Sequence, residues 1–403
     1  MFTESQNNLS NNKTGRFSPG KVLVLFGTRP EAIKLAPVIR ELTKNPKFET
    51  VVVSSSQHTD LLKPFLEIFE LSVDYDLHVM TENQTPNQVC AKILDSLDQI
   101  LVNEDPDVIL VQGDTTTAFT GAFAAFNRKI RVGHVEAGLR SGNPLSPFPE
   151  EMNRRLVSQV ADLHFAATNS NKSNLLRESV DTGKIAVVGN TVVDALHHIL
   201  ENSKPGFAMQ ELLDKTAGMK RLLLTTHRRE SFGETMSENL KVLRNFVAEN
   251  DDVALFFPVH PNPNVRDITN KILSASERVF LLEPLDYADF ISLMKESWLI
   301  VSDSGGVQEE APSLGKPLLI LRENTERPEA IESGVAKLVG GDARELRKLL
   351  DENYLDPTWV DSVKKVANPF GNGTSARQIV QILESELISA SKTEADEIVP
   401  VFA

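Results

Sequence analysis

"KVLVLFGTRPEAIKLAPVIREL", residues 21–42, changes from an unbroken apolar run to a helical pattern within a few positions. "KVLVLF" at 21–26 reads as a buried strand, and the apolar residues after Pro30 recur at helical spacing. Between them stand Gly27, Arg29 and Pro30, with Lys34 one turn into the helix. Proline suits a first helical turn because its missing N–H costs nothing there. A bare connection needs only the glycine; two cations beside the positive end of a helix oppose its dipole and call for an anion.

The same alternation continues. "TVVVSSS" at 50–56, "DVILVQ" at 107–112 and "RVGHV" at 131–135 read as strands with amphipathic helices between them, the pattern of parallel βαβ units. It lapses over 201–220, "ENSKPGFAMQELLDKTAGMK", which reads as a joint. It restarts with "RLLLTT" at 221–226, "VALFFPV" at 253–259, "VFLLE" at 279–283, "WLIVSD" at 298–303 and "PLLIL" at 317–321. The expectation is an α/β chain of two Rossmann-like doubly wound domains, 21–200 and 201–370, facing across a cleft. A helix at 371–391 should pack across both, between a disordered leader, 1–20, and a frayed tail, 392–403. Ligands of open α/β sheets sit beyond the carboxyl ends of the strands.

Bulk properties restrict function. A chain of 403 residues suits two cores better than one. A net charge of -14 argues against a general nucleic-acid binder, so any anion site is local. Cys90, the sole cysteine, cannot form an internal disulfide and fits a reducing compartment. Neither a cysteine cluster nor a histidine pair at zinc spacing is present, which argues against a metal. No apolar run is long enough to span a bilayer. The Asn- and Ser-rich leader lacks a signal peptide's apolar segment; a cytoplasmic location is expected, with organelle targeting left open.

Unusual polar residues fall at the strand ends. Asp114 follows "DVILVQ" in "QGDTTTAF", where an N-cap is the plain alternative. Glu136 follows "RVGHV" with no capping role to explain it. In "SPFPEEMNRRL", Glu150 and Glu151 precede Arg154 and Arg155, which on residues alone describes a solvated helix with i,i+4 ion pairs. His227, Arg228 and Arg229 follow the first strand of the second domain, and His260 follows the next. Ser304, Gly305 and Gly306 open a helix at a strand end, where glycines let a diphosphate approach backbone N–H groups. Glu310 lies about 9 Å further along that helix, a spacing that suits ribose hydroxyls. These features describe a nucleoside diphosphate in the second domain and an acid-lined site in the first.

From about Lys21 to Ser389 the chain resembles the non-hydrolysing UDP-N-acetylglucosamine 2-epimerases. The resemblance rests on "FGTRPEAIK", "GDTTT", "GHVEAGLR", "PFPEEMNR", "GNTVVDAL", "HRRESFG", "PVHPNPNVR", "DSGGVQEEAPSLGKP" and "TERPEA" in that order. It implies a GT-B fold and interconversion of UDP-N-acetylglucosamine and UDP-N-acetylmannosamine without NAD, metal or other cofactor. The implied route is anti elimination of UDP to 2-acetamidoglucal and re-addition, in polysaccharide biosynthesis, by a homodimer. By the same resemblance Asp114, Glu136 and Glu150 handle the C2 proton in an order left open, with His227 near the diphosphate. Arg29 and Lys34 would reach the departing UDP, Ser304, Gly305, Gly306 and Glu310 would cradle it, Phe290 would touch the uracil and Arg327 would add a binding cation. Leu285 departs from a glutamine common at the uracil side. Of the allosteric site that many bacterial members carry, Gln57, His58, Arg228 and His260 stand as a remnant, while Asp60 and Asn83 depart from it. A hydrolysing epimerase, a GT-B glycosyltransferase and a non-catalytic nucleotide-sugar sensor are the competing readings.

Overall fold

The computed structural model describes residues 19–56, 65–81, 84–226, 233–274 and 276–397, with side chains to 387. Gln57, His58, Asp60, Asn83, His227 and Arg228 lie outside the described residues, as do residues 1–18 of the leader.

Strand β1 (Gly20–Phe26) is central because every residue from Val22 to Phe26 is apolar and fully buried. A strand covered on both faces needs such a continuous run. It pairs in parallel with β2 (Phe48–Ser54) and with β4 (Val108–Gln112). β3 (Tyr75–Asp76) lies outside β2; β5 (Arg131–Ala137), β6 (Leu163–Ala166) and β7 (Ile185–Val187) extend the other side, giving the order β3-β2-β1-β4-β5-β6-β7.

The second sheet repeats this plan as β10-β9-β8-β11-β12-β13. Its strands are β8 (Lys220–Thr225), β9 (Val253–Pro258), β10 (Val279–Leu282), β11 (Leu299–Ser302), β12 (Leu318–Ile320) and β13 (Ala336–Leu338), all parallel. In both sheets the order in which strands are added reverses between the first strand and the fourth. The crevice at such a switch point is where a doubly wound sheet binds its ligand. One switch point offers the turns after β1 and β4, the other the turns after β8 and β11.

Three expectations change. The 201–220 joint is largely helical: helices Thr191–Asn202 and Phe207–Lys215 flank a short turn, and Met209 and Leu213 are buried. The C-terminal helix runs from Ser375 to Glu397, beyond the expected end at 391, because "SKTEADE" is rich in helix formers. It lies on helices Arg29–Lys44 and Thr191–Asn202 rather than across both sheets. Ile379, Val380 and Leu383 join the core of β1 and β2, and Glu384 accepts a hydrogen bond from Asn45.

The chain therefore leaves the first domain near Asn190 and returns near Phe370. The two passages are bonded together: Asn190 N donates to Phe370 O at 2.6 Å, and Asp194 accepts from the Ser375 and Ala376 amides at 3.3 and 2.9 Å. Gly189 allows the approach; a Cβ there would stand 2.7 Å from Ser375 Oγ and 3.1 Å from Phe370 O.

Candidate active site

The helix Arg29–Lys44 starts on Thr28, whose side chain and the Glu31 carboxylate form a capping box. Gly27 is required by contact rather than by backbone angle, since a Cβ there would meet Ser55 Oγ and Thr117 Oγ1 at 2.3 Å. The turn after β4 passes through Gly113 at φ +70°, and His134, in β5, donates from Nε2 to Gly113 O at 2.8 Å. Asp114 follows, and Thr115 caps the next helix by accepting from Ala118 N.

Glu136 is not beyond its strand, as the sequence suggests, but within it. The register of β5 against β6 shifts between Val135 and Ala137, and Glu136 sits at φ +64°, a left-handed conformation costly for a residue with a Cβ. Such bulges re-aim side chains next to active sites.

Between the two switch points is a cavity of about 420 Å³. The first domain lines it with Glu31, Lys34, Asp114, Glu136 and Glu150, the second with Ser304, Gly305, Gly306, Glu310 and Arg327. Nine of the residues singled out in the sequence thus border one space; Arg29 is close by, with its guanidinium 5.1 Å from the Phe65 ring centroid and its pKa lowered by burial. Phe290 is not in the lining and packs against the second-domain core with Leu285. His260 is used locally, its Nδ1 accepting from Asn262 N at 3.2 Å.

The electrostatics revise several sequence readings. Lys34 does not present a free cation. It is buried, ion-paired with Glu136, and 3.3 Å from Glu309 Oε2 across the cleft. Burial opposes its charge, but Glu136 and Glu309 outweigh burial and raise its pKa. Glu136 also accepts from Gln112 at 2.5 Å and Asn190 at 2.8 Å. Burial would push its carboxyl up; Lys34 and Arg327 overcome that and hold it well below the usual carboxylate range.

Arg327 is likewise committed, through Nε to Glu309 Oε1 at 2.5 Å. Gly305 gives it room: a Cβ there would lie 2.6 Å from the guanidinium, whereas Gly306 has only Ser304 Oγ nearby, at 3.9 Å. The first glycine serves the arginine and the second leaves the open face. The solvated-helix reading of 150–155 is also overturned. Glu151 and Arg154 are buried, Arg154 bonds both Glu151 and Asp114, and Glu151 pairs with Arg155. Glu150 borders the cavity.

Sequence reasoning missed Glu31, Glu309, Gln112, Asn190 and Tyr287. Glu31 was legible as the third residue after Thr28, the capping-box spacing, but not its burial. Nothing separated Glu309 from Glu310. Glu310 accepts from Tyr287 Oη at 2.6 Å, and burial pushes its pKa to about 7 despite that bond. Burial does the same to Glu31, against its bonds from Thr115, Thr28 and Gly27.

The family model for UDP-N-acetylglucosamine 2-epimerase matches residues 40–384. The chain belongs to the UDP-N-acetylglucosamine 2-epimerase family. It is 46% identical over 363 residues to the Bacillus subtilis UDP-N-acetylglucosamine 2-epimerase, covering 90% of this chain and 94% of that one. To the Salmonella typhimurium UDP-N-acetylglucosamine 2-epimerase it is 45% identical over 379 residues, 92% of this chain and 100% of the other. Among solved structures, a Neisseria meningitidis UDP-GlcNAc 2-epimerase bound to UDP-GlcNAc superposes with a TM-score of 0.86 at 43% identity, covering 91% of this chain and 100% of that one. An S. aureus co-structure with UDP gives 0.86 at 41% identity, covering 91% and 97%. The facing domains make a GT-B fold, and the chain is an isomerase of this epimerase family.

Membership leaves the charge balance of the cavity testable on this chain. The folded-state pKa values of Glu310 and Glu31 are raised, so the stability they allow is full below the unfolded value near 4.5 and is lost as pH rises through about 7. Glu310→Gln removes one of the two groups. The expected result is a shallower fall of stability between pH 4.5 and 7 and a gain on the order of 3 kcal/mol at pH 8, read from thermal unfolding across that range. An unchanged pH slope would contradict the assignment.

Proposed function

We propose that this chain interconverts UDP-N-acetylglucosamine and UDP-N-acetylmannosamine by anti elimination of UDP and re-addition. The observation that carries this is the sharing of one cavity by three first-domain carboxylates, Asp114, Glu136 and Glu150, and the Ser304–Gly306 turn with Glu310. In the forward step a carboxylate takes the C2 proton. The C2–H electrons form the C1–C2 double bond, and the C1–O electrons leave with the β-phosphate oxygen. Return of UDP to C1 and of a proton to the opposite face of C2 completes the inversion. The chemistry is redox-neutral and draws on no cofactor.

The C2 proton is not beside a carbonyl, so stabilisation of the leaving diphosphate supplies much of the activation. Gly306, with only Ser304 Oγ near it, and Arg29, at the start of the helix beside the cavity, are suited to the diphosphate, and Glu310 to the ribose. Asp114 is the base best placed to exchange protons: its Oδ2 holds Arg154, and among the described residues its Oδ1 has no hydrogen-bond donor. Glu150 borders the same space as its partner in proton transfer. Glu136, crowded by three donors, serves by holding Lys34 and the cavity floor. The product, a UDP-linked amino sugar, is a donor for polysaccharide synthesis.

Incubation with UDP-N-acetylglucosamine in D2O, followed by NMR, tests the reading. Deuterium at C2 of both UDP-sugars is expected. Free N-acetylmannosamine would indicate a hydrolysing enzyme, and absence of both exchange and product would defeat the proposal.

The chain acts as a homodimer in this reading. Helices Thr116–Asn127 and Glu150–Val160 pack together, and their outer sides expose Phe123, Phe126, Met152 and Leu156. A shared apolar surface on two rigid helices suits a second copy of the same surface. Phe126→Glu is expected to convert the dimer to monomer in light scattering; a wild-type monomer would reject the dimer.

A further inference from the structure

Glu31 is a buried carboxylate with no role in the chemistry outlined above. It is 1% exposed, and no basic side chain pairs with it among the described residues. Burying an unpaired carboxylate is costly unless its lone pairs are met. Here four donors meet them. Oε2 accepts from Gly27 N at 3.1 Å, Thr28 N at 2.7 Å and Thr28 Oγ1 at 2.7 Å. Oε1 accepts from Thr115 Oγ1 at 2.6 Å.

Of the first three, the bond from Thr28 N belongs to the capping box and the other two are local to the same turn; a glutamine oxygen would accept all three equally well. The fourth is different. It leaves the helix altogether and joins the turn after β1 to the turn after β4, spanning the switch point of the first sheet. Thr115 is the residue next to Asp114, and its hydroxyl already accepts from Ala118 N at 3.0 Å. The proton of that hydroxyl is therefore directed to Glu31, which fixes the rotamer and the turn. The remaining holds on the turn act elsewhere: Gly113 N donates to Val135 O at 3.0 Å, His134 bonds Gly113 O, Asn153 bonds Asp114 O at 2.9 Å, and Arg154 bonds the Asp114 carboxylate.

We propose that Glu31 is a positioning residue for Asp114, holding the Gly113–Thr115 turn through Thr115 so that the Asp114 carboxylate meets the substrate C2 proton in register. The proposal rests on the epimerase reading above. It gives the first two turns of the opening helix two tasks: Glu31 sets Asp114 through Thr115, and Lys34 sets Glu136 by direct pairing.

The test uses the full chain and four variants, Glu31→Ala, Glu31→Gln, Thr115→Val and Thr115→Ser, with UDP-N-acetylglucosamine carrying hydrogen or deuterium at C2. A carboxylate displaced by about 1 Å loses on the order of 10²-fold in rate. Glu31→Ala and Thr115→Val are expected to lower kcat by about that factor with KM nearly unchanged, and to enlarge the C2 deuterium isotope effect. Thr115→Ser, which keeps the donor, is expected to restore both, and Glu31→Gln to fall between because its amide can still bond the Thr115 oxygen. A general loss of folded enzyme would lower rate without changing the isotope effect. Should Glu31→Ala fail to fold, the Thr115 pair carries the test. Wild-type kcat and isotope effect in Thr115→Val would overturn the positioning role; absence of C2 exchange in the wild-type chain would instead overturn the epimerase reading beneath it.

Discussion

Asp114→Asn is expected to lower kcat by about 10²–10⁴-fold, the range a positioned acid or base supplies, while UDP affinity changes by no more than about threefold. The substitution keeps the shape of the side chain and removes its basicity. The surrounding turn should survive, because Asn153 bonds the backbone oxygen of residue 114 and His134 bonds that of Gly113. Arg154 keeps a second carboxylate, Glu151, at 3.2 Å. Steady-state rates with UDP-N-acetylglucosamine and calorimetric binding of UDP separate the two effects. A variant retaining more than about a tenth of wild-type kcat would show that another group takes the proton.

The second large effect is on stability. Six buried charges form a chain across the cleft: Arg322 to Glu326 at 2.7 Å, Glu326 to Arg327 at 3.7 Å, Arg327 to Glu309 at 2.5 Å, Glu309 to Lys34 at 3.3 Å, and Lys34 to Glu136. The three cations balance the three carboxylates. Glu309→Ala leaves an uncompensated positive charge away from water. The expected loss is about 3–5 kcal/mol, the cost of breaking a buried pair by removing one partner. Glu309→Gln should lose less, since its amide oxygen still accepts from Arg327 Nε. Chemical unfolding of the two variants measures the difference; a Glu309→Ala loss below about 1 kcal/mol would place these charges in water rather than in the protein interior.

The sheets were easy to read and the charges were not. β1, β4, β8, β9 and β11 are short unbroken apolar runs because they are covered on both faces, and burial leaves that mark directly in composition. β6, β7 and β13 are three or four residues long, too short to stand out. Asp114, Glu136 and Ser304–Gly306 could be found because polar residues at strand ends mark the ligand side of such sheets. The partners of each charge could not, since Lys34 meets Glu136 and Glu309 from 102 and 275 positions away along the chain. Helical spacing alone paired Glu150 with Arg154, but the fold brings Asp114 to that arginine and makes Glu151 its helical neighbour. Local sequence reports local geometry, and ion pairing in this site is set by the approach of two sheets.

The bonded passages at Asn190–Phe370 and Asp194–Ala376 make the second domain a guest in the topology of the first. Its entry and exit points coincide, so it is carried like a leaf on a single two-pin door hinge. A swing about that pin would move the Ser304–Gly306 turn, which lies against helix Thr191–Asn202, least, and the parts of the second sheet remote from that helix most. A crosslink near Asn190 and Phe370 would therefore leave the door free to turn, whereas one between the far rims would lock it.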